Sequence, residues 1–90
     1  MAKAEISWKR LTEDNVRLQV YVHHVGDRWN FYCRERRYDR WQPVAEPPLE
    51  DWLALLNAVQ RRVQRRLLRP EEVARVRQSI RERFPEIKFE

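Results

Sequence analysis

The sequence of 90 residues contains only one cysteine, one glycine and two histidines. The single cysteine, Cys33, cannot form a disulfide within the chain, which is typical of proteins from a reducing compartment. One cysteine and two histidines are too few for an ordinary structural zinc site. One glycine is too few for a glycine-rich phosphate-binding loop. The sequence therefore predicts a cytoplasmic protein that needs no metal and no cofactor.

Long apolar runs and catalytic patterns are lacking as well. The longest apolar run is the five residues Trp52–Leu56, far short of the ~20 residues that cross a membrane as a helix. No apolar segment of the secretory type follows Met1. His23 and His24 are neighbours on a predicted strand, so they point to opposite faces and cannot readily share a metal. Since no acid–base pair has a recognisable spacing either, we expect a binding protein without a membrane segment, not an enzyme.

Arginine is what the chain has in abundance. Lysine and arginine number 19 against 14 acidic residues, which gives a formal charge of +5, and sixteen of the basic residues are arginine. Arginine forms bidentate contacts with phosphate and carboxylate groups and stacks on flat rings. A GC-rich genome would produce the same bias without any functional reason. The hydrophobic share of 42%, with four tryptophans, is enough for one folded domain over residues 1–90.

Residues 4–44 show the alternation of an antiparallel sheet. The segment Val20–Arg37 predicts a β-hairpin that closes at Gly26-Asp27 and pairs Tyr21 with Tyr32. A first strand, AEISWKR, precedes it, and a short strand over Trp41–Val44 follows. Pro43 lacks an N–H group and places that last strand at an edge. Alternation assigns a set of residues to the core face of the hairpin: Val16, Leu18, Val20, Val22, Trp29, Phe31 and Cys33.

Helical periodicity replaces strand alternation after the stiff linker Ala45–Pro48. It predicts one helix over residues 49–67 and a second over residues 70–84, which begins at Pro70. The apolar stripe of the first helix comprises Leu49, Trp52, Leu53, Leu56, Val59, Val63 and Leu67. The predicted fold class is α+β: an antiparallel three- to four-stranded β-meander followed by two antiparallel helices packed on one sheet face.

The other face of the hairpin carries aromatic and basic side chains. Nucleobases stack on aromatic rings and guanidinium planes, and nearby arginines neutralise phosphates. We therefore predict a site for single-stranded DNA or RNA on this open face. The candidate residues are Tyr21, Tyr32, Arg34, Arg36, Arg17 and His23. Two alternatives remain: the aromatic pair only stabilises the hairpin, or the face is buried by a protein partner or in a homodimer.

A second basic segment, Gln60–Arg69, contains five arginines and no acidic residue. Its members are Arg61, Arg62, Arg65, Arg66 and Arg69. On one helix, arginines four residues apart repel each other by a few tenths of a kcal/mol, although the helix dipole favours positive charge at this end. The segment is either a solvated face paired with acidic residues of the second helix or a phosphate-binding stripe.

One further feature is the order of the elements. The segment RERRYDRWQPVAEPPLEDWLALL, Arg34–Leu56, runs from a basic strand through an edge strand into a helix that bears a tryptophan. A curved antiparallel sheet followed by a helix is loosely similar to the Pur-type and whirly-type single-strand binders. The resemblance lies in element order, without a diagnostic motif, and it implies single-stranded nucleic-acid binding by analogy of fold.

Overall fold

The computed structural model describes residues 5–25 and 28–87. Four strands are followed by two helices: β1 (Glu5–Leu11), β2 (Arg17–Val25), β3 (Arg28–Arg34), β4 (Gln42–Val44), α1 (Leu49–Gln64) and α2 (Glu71–Arg83). The strands form one antiparallel sheet in the order β1-β2-β3-β4. The α+β class and the meander order are therefore confirmed. The chain divides into two compact units, a sheet unit that ends at Pro47 and a helical unit that begins at Pro48.

The pairing of β2 with β3 has the predicted register. Tyr21 lies opposite Tyr32, and Val22 lies opposite Phe31. The predicted turn at residues 26–27 lies outside the described residues. Val22 and Phe31 are buried, whereas the two tyrosines of the other face are only half-buried. Apolar residues at every second position therefore specify which face of the hairpin is buried.

Val16 does not belong to the core face, contrary to the prediction. It lies before the first residue of β2, and 37% of its surface is exposed. A tight loop accounts for this position: the Thr12 N–H donates to the Val16 carbonyl at 2.9 Å, and the Asn15 N–H donates to the Thr12 carbonyl at 3.0 Å. Asn15 has a φ of 63°, a left-handed conformation that asparagine tolerates better than most residues. Val16 therefore belongs to this loop, and the alternation of buried and exposed residues in β2 starts after it.

The short strand β4 lies at one edge of the sheet, as Pro43 predicted. Pro43 is opposite Tyr32, and Val44 is opposite Phe31. The strand begins at Gln42, so Trp41 lies just before it and not inside it. The same register that places Val44 on the buried side of β3 places Pro43 beside the tyrosines.

The helical unit begins with the predicted first turn of α1. The N–H groups of Asp51 and Trp52 both donate to the Pro48 carbonyl, at 3.0 and 3.2 Å. The predicted apolar stripe is correct at Trp52, Leu56 and Val59, which are all buried. It is wrong at two leucines that are exposed: Leu53 and Leu67. Leu55 is fully buried instead, so the apolar face is rotated relative to the one we predicted.

Helix α1 ends at Gln64, three residues before the predicted end at residue 67. Arg66 takes a φ of 60°, and its N–H donates to the Val63 carbonyl at 3.0 Å. The Leu67 N–H donates to the Arg62 carbonyl at 2.8 Å. Together these bonds form a Schellman motif, which satisfies carbonyl groups that the helix end leaves open. The motif usually has glycine at the left-handed position, and its absence here explains why the sequence did not reveal the stop.

Helix α2 agrees with its predicted range to within one residue at each end. Val76 and Ile80 are fully buried on its apolar side. Its last residue, Arg83, holds its guanidinium carbon 4.8 Å from the centroid of the Trp52 ring, near the beginning of α1. The end of α2 therefore lies beside the start of α1, as antiparallel helices require. Within the described residues, neither helix is long and apolar enough to cross a membrane.

Candidate nucleic-acid interface

One face of the sheet gathers the predicted aromatic and basic residues, and we call it the aromatic face. Tyr21 and His23 of β2 lie on it, with Tyr32 and Arg34 of β3. Strand β1 adds exposed polar side chains, because Ser7 is paired with Tyr21 and Lys9 with Gln19. Residues that are paired across a sheet share a face. The pairing register of β1, β2 and β3 therefore places these side chains together, and the aromatic face extends over three strands.

Three rings form a continuous cluster at its centre. The rings of Tyr21 and Tyr32 are stacked, with centroids 5.5 Å apart and planes at 26°. Trp41 contacts Tyr21 from the segment before β4, with centroids 5.2 Å apart and planes at 44°. These distances lie in the range of favourable aromatic pairs. Tyr21 is thus held between two aromatic neighbours, and Tyr32 and Trp41 lie at the two ends of the cluster.

Arg34 is fixed beside this cluster by contacts with three residues. Its guanidinium carbon lies 4.2 Å from the centroid of Trp41, well within the distance of a cation–π contact. Its Nε donates to the Gln19 side-chain oxygen at 2.7 Å, and its Nη1 donates to the Asp39 carbonyl at 3.4 Å. Among the described residues its Nη2 has no hydrogen-bond partner. A guanidinium oriented in this way keeps donors for an anion without losing its position.

The segment between β3 and β4 brings Trp41 to the face. The Asp39 N–H donates to the Arg36 carbonyl at 3.0 Å, and the Arg36 N–H donates to the Asp39 carboxylate at 3.1 Å. These bonds close a turn directly after β3. Arg36 therefore lies outside the strand and is exposed. The strand alternation from which its place beside Tyr32 and Arg34 was predicted therefore ends at Arg34.

The two remaining candidates lie at the margins. The hydroxyl of Tyr21 is 3.0 Å from Nδ1 of His23, a hydrogen bond within one strand. Arg17 is the first residue of β2, is exposed, and lies opposite Leu11. Because side chains alternate along a strand, Arg17 lies on the same face of β2 as Gln19 and Tyr21. Four of the six predicted residues are thus brought together, Arg17 extends the face, and Arg36 lies in the turn after β3.

A recess of about 340 Å³ opens on the aromatic face next to Arg34. Six residues line it: Ser7, Trp8, Lys9, Gln19, Arg34 and Trp41. Its volume is near the lower end of the ~300–1,000 Å³ of small-molecule sites. Its lining residues carry two cationic side chains, a hydroxyl, a primary amide and two indole rings, and the Trp8 ring contacts Phe31 on the buried side of the sheet. This composition suits a flat group that carries negative charge.

The second basic segment does not form the helical stripe that its spacing suggested. Arg61 and Arg62 lie in the last turn of α1, and Arg65 is the C-cap. Arg66 has the left-handed conformation, and Arg69 lies in the connection before α2. Arg65 and Arg66, which were predicted within the first helix, therefore lie beyond its last residue. Within the described part of the chain, their side chains have no ring contact and no ion pair.

The two histidines occupy opposite faces, as strand alternation requires. His24 stacks on Trp29 across the hairpin, with ring centroids 3.9 Å apart and planes at 6°, while His23 bonds to Tyr21 on the aromatic face. Over residues 5–25 and 28–87, no group of three or more His, Cys, Asp or Glu side chains is placed to hold a metal ion.

Sequence reasoning missed Trp41 and Lys9 as members of the site. Both residues could have been predicted from strand alternation. Val44 belongs to the buried side, so counting back along an extended segment places Trp41 on the opposite side, with Pro43. Lys9 alternates with Trp8, which contacts Phe31 edge-on on the buried side, with ring centroids 6.5 Å apart. Alternation along β1 and back from Val44 is therefore the signal that identifies Lys9 and Trp41.

Comparison with protein-family models, with curated proteins and with solved structures found no match to this chain. Function is therefore inferred from the geometry of this chain alone.

Proposed function

We propose that the sheet unit is a non-catalytic module that binds single-stranded nucleic acid on the aromatic face. The observation that carries this proposal is the continuous cluster of Tyr32, Tyr21 and Trp41, with the guanidinium of Arg34 held against Trp41. A single strand offers flat bases and evenly spaced phosphates. Aromatic rings beside fixed cations match both parts of that ligand.

The rings have different roles in this proposal. Tyr21 is in contact with two rings and bonded to His23, so it supports the cluster. Tyr32 and Trp41 lie at the ends of the cluster, where each contacts Tyr21 on one side. These two residues accept bases by stacking, at about 1–3 kcal/mol for each base. The bound strand therefore follows the direction from Tyr32 to Trp41 across the sheet.

Three cations along the face take the phosphates. Lys9 and Arg17 are exposed, and Arg34 retains its Nη2 for an external acceptor. Neutralising phosphates releases counterions, so the affinity falls with salt at a log–log slope of about −0.7 for each phosphate contacted on a single strand. Contacts from three cations predict a slope of roughly −2.

The direct test is binding of a labelled single-stranded oligonucleotide of mixed sequence, followed by fluorescence anisotropy across a salt series. Tyr32→Ala should weaken binding by about 1–3 kcal/mol and leave the salt slope nearly unchanged. Tyr38→Ala is the matched control, because Tyr38 is 81% exposed and lies in the turn between β3 and β4. No binding at low salt, or an equal loss in both variants, would contradict the proposal.

The competing use of this face is a protein interface, including a homodimer. Tyrosine, tryptophan and arginine are also enriched at the centres of protein interfaces, so the cluster suits that role as well. Light scattering over a concentration series separates the two functions. A monomer that binds the oligonucleotide supports the proposal. A stable dimer that Tyr32→Ala dissociates, and that does not bind the oligonucleotide, assigns the face to self-association.

A further inference from the structure

The recess beside Arg34 has a set of donors and no acidic side chain among its described lining residues. Lys9 contributes an ammonium group and Ser7 a hydroxyl, and both residues are exposed. Arg34 contributes the N–H groups of Nη2. Within the described part of the chain, none of the six lining residues is aspartate or glutamate. Because ammonium and guanidinium groups only donate hydrogen bonds, this wall of the recess selects an anion.

Gln19 acts in the same direction. Its side-chain oxygen accepts the hydrogen bond from Arg34 Nε at 2.7 Å. The amide nitrogen of Gln19 is therefore left to donate. The same bond holds the Arg34 guanidinium in a fixed orientation, which lowers the entropy that a ligand contact would otherwise cost.

Trp41 gives the recess a flat, polarisable wall. Trp41 is one of the lining residues, and its ring contacts Tyr21 and Arg34. Stacking on an indole ring requires a flat group, and the adjacent donors require negative charge. A nucleotide has both, in one unit of a size that suits a recess of about 340 Å³.

We propose that this recess binds one nucleoside monophosphate unit, with the phosphate against Lys9 and Arg34 and the base against Trp41. The inference rests on the proposed nucleic-acid function and deepens it. It states that one nucleotide of the bound strand is held in the recess. A free nucleoside monophosphate is then the smallest ligand of the site. An internal nucleotide and a phosphorylated strand end share this chemistry.

The test is an NMR titration of the full chain with adenosine monophosphate, adenosine and inorganic phosphate as separate probes. The monophosphate should shift the Trp41 indole N–H and the Gln19 side-chain amide, with adenosine binding at least roughly tenfold more weakly. The Trp41 signal is assigned by its loss in Trp41→Phe. Lys9→Gln should weaken monophosphate binding about tenfold and leave adenosine binding unchanged.

Arg17→Gln is the matched control, because Arg17 is a cation of the same face that does not line the recess. It should leave monophosphate binding unchanged. Oligonucleotides with and without a terminal phosphate identify the source of the anchored unit. A preference for the phosphorylated end places the strand terminus in the recess, and equal affinities place an internal nucleotide there.

The outcomes separate the two proposals. Oligonucleotide binding that is insensitive to Lys9→Gln and to added monophosphate overturns the recess and keeps the aromatic face. Monophosphate binding without oligonucleotide binding keeps the recess as a nucleotide site and overturns the single-strand function. Equal binding of adenosine and its monophosphate overturns the anion role of Lys9 and Arg34.

Discussion

The aromatic face and the segment Gln60–Arg69 are both basic, but they differ in how their cations are held. On the aromatic face, Arg34 is oriented by a ring, a side-chain amide and a backbone carbonyl. In the segment Gln60–Arg69, the five arginines are spread over a helix end, a left-handed residue and a connection. The segment Gln60–Arg69 contains more arginines, yet only on the sheet do an arginine, aromatic rings and a side-chain amide contact one another. Contacts among different kinds of side chain indicate a specific site better than the number of arginines in a segment does.

The largest expected difference concerns the rings. We expect the double variant Tyr32→Ala, Trp41→Ala to lose about 2–6 kcal/mol of oligonucleotide binding, because each ring stacks one base. The variant Arg61→Gln, Arg62→Gln, Arg65→Gln should lose much less and mainly change the salt slope. Anisotropy titrations of the two variants measure both effects, with circular dichroism as the check on folding. A larger loss from the arginine variant would move the site to the helical unit.

The next prediction compares how much oligonucleotide binding depends on Arg34, which three contacts hold in place, and on Arg65, which is exposed. Arg34→Ala should weaken oligonucleotide binding by about 1.5–3 kcal/mol and reduce the salt slope by the contribution of about one phosphate. Arg65→Ala removes the same charge from an exposed C-cap position and should change neither quantity appreciably. The same salt series measures both variants. Equal slopes for the two variants would show that only net charge matters.

A smaller effect tests whether Tyr21 supports the cluster. Tyr21→Phe keeps the ring and removes the hydroxyl that lies 3.0 Å from His23 Nδ1. The free energy of unfolding should fall by about 0.5–1.5 kcal/mol, the usual net value of one hydrogen bond. Oligonucleotide affinity should be nearly unchanged, because Tyr32 and Trp41 keep their positions. Urea denaturation gives the first quantity, and a greater loss of affinity than of stability would make Tyr21 a direct contact.

The smallest effect is a stabilisation in the helical unit. Arg66 has a φ of 60°, a conformation that costs L-residues about 1–2 kcal/mol and glycine much less. We expect Arg66→Gly to raise the free energy of unfolding by about 0.5–1 kcal/mol, since glycine also loses more chain entropy on folding. Thermal denaturation measures it. Arg62→Gly is the control, because a glycine inside α1 should destabilise by a similar amount.

Sequence reasoning succeeded where one periodic signal extended without interruption. Val20, Val22 and Phe31 specified the hairpin register, and Pro43 specified the edge strand. It failed where a local hydrogen bond ended the period. The Asp39 carboxylate takes the N–H of Arg36 and ends β3, and the Schellman bonds at Arg66 end α1 without the glycine that usually marks such a stop. One of these stops is a side-chain bond and the other is a pair of backbone bonds, and apolar periodicity encodes neither.

The two edges of the sheet are unequal, and this limits how copies of the chain can join. At one edge, β4 has three residues and includes Pro43, which cannot donate a hydrogen bond to an added strand. At the other edge, β1 has seven residues. Strand addition is therefore opposed past β4. If two copies joined β1 to β1, only the two β4 edges would face outward, so growth would terminate at a two-fold pair instead of propagating into a fibre.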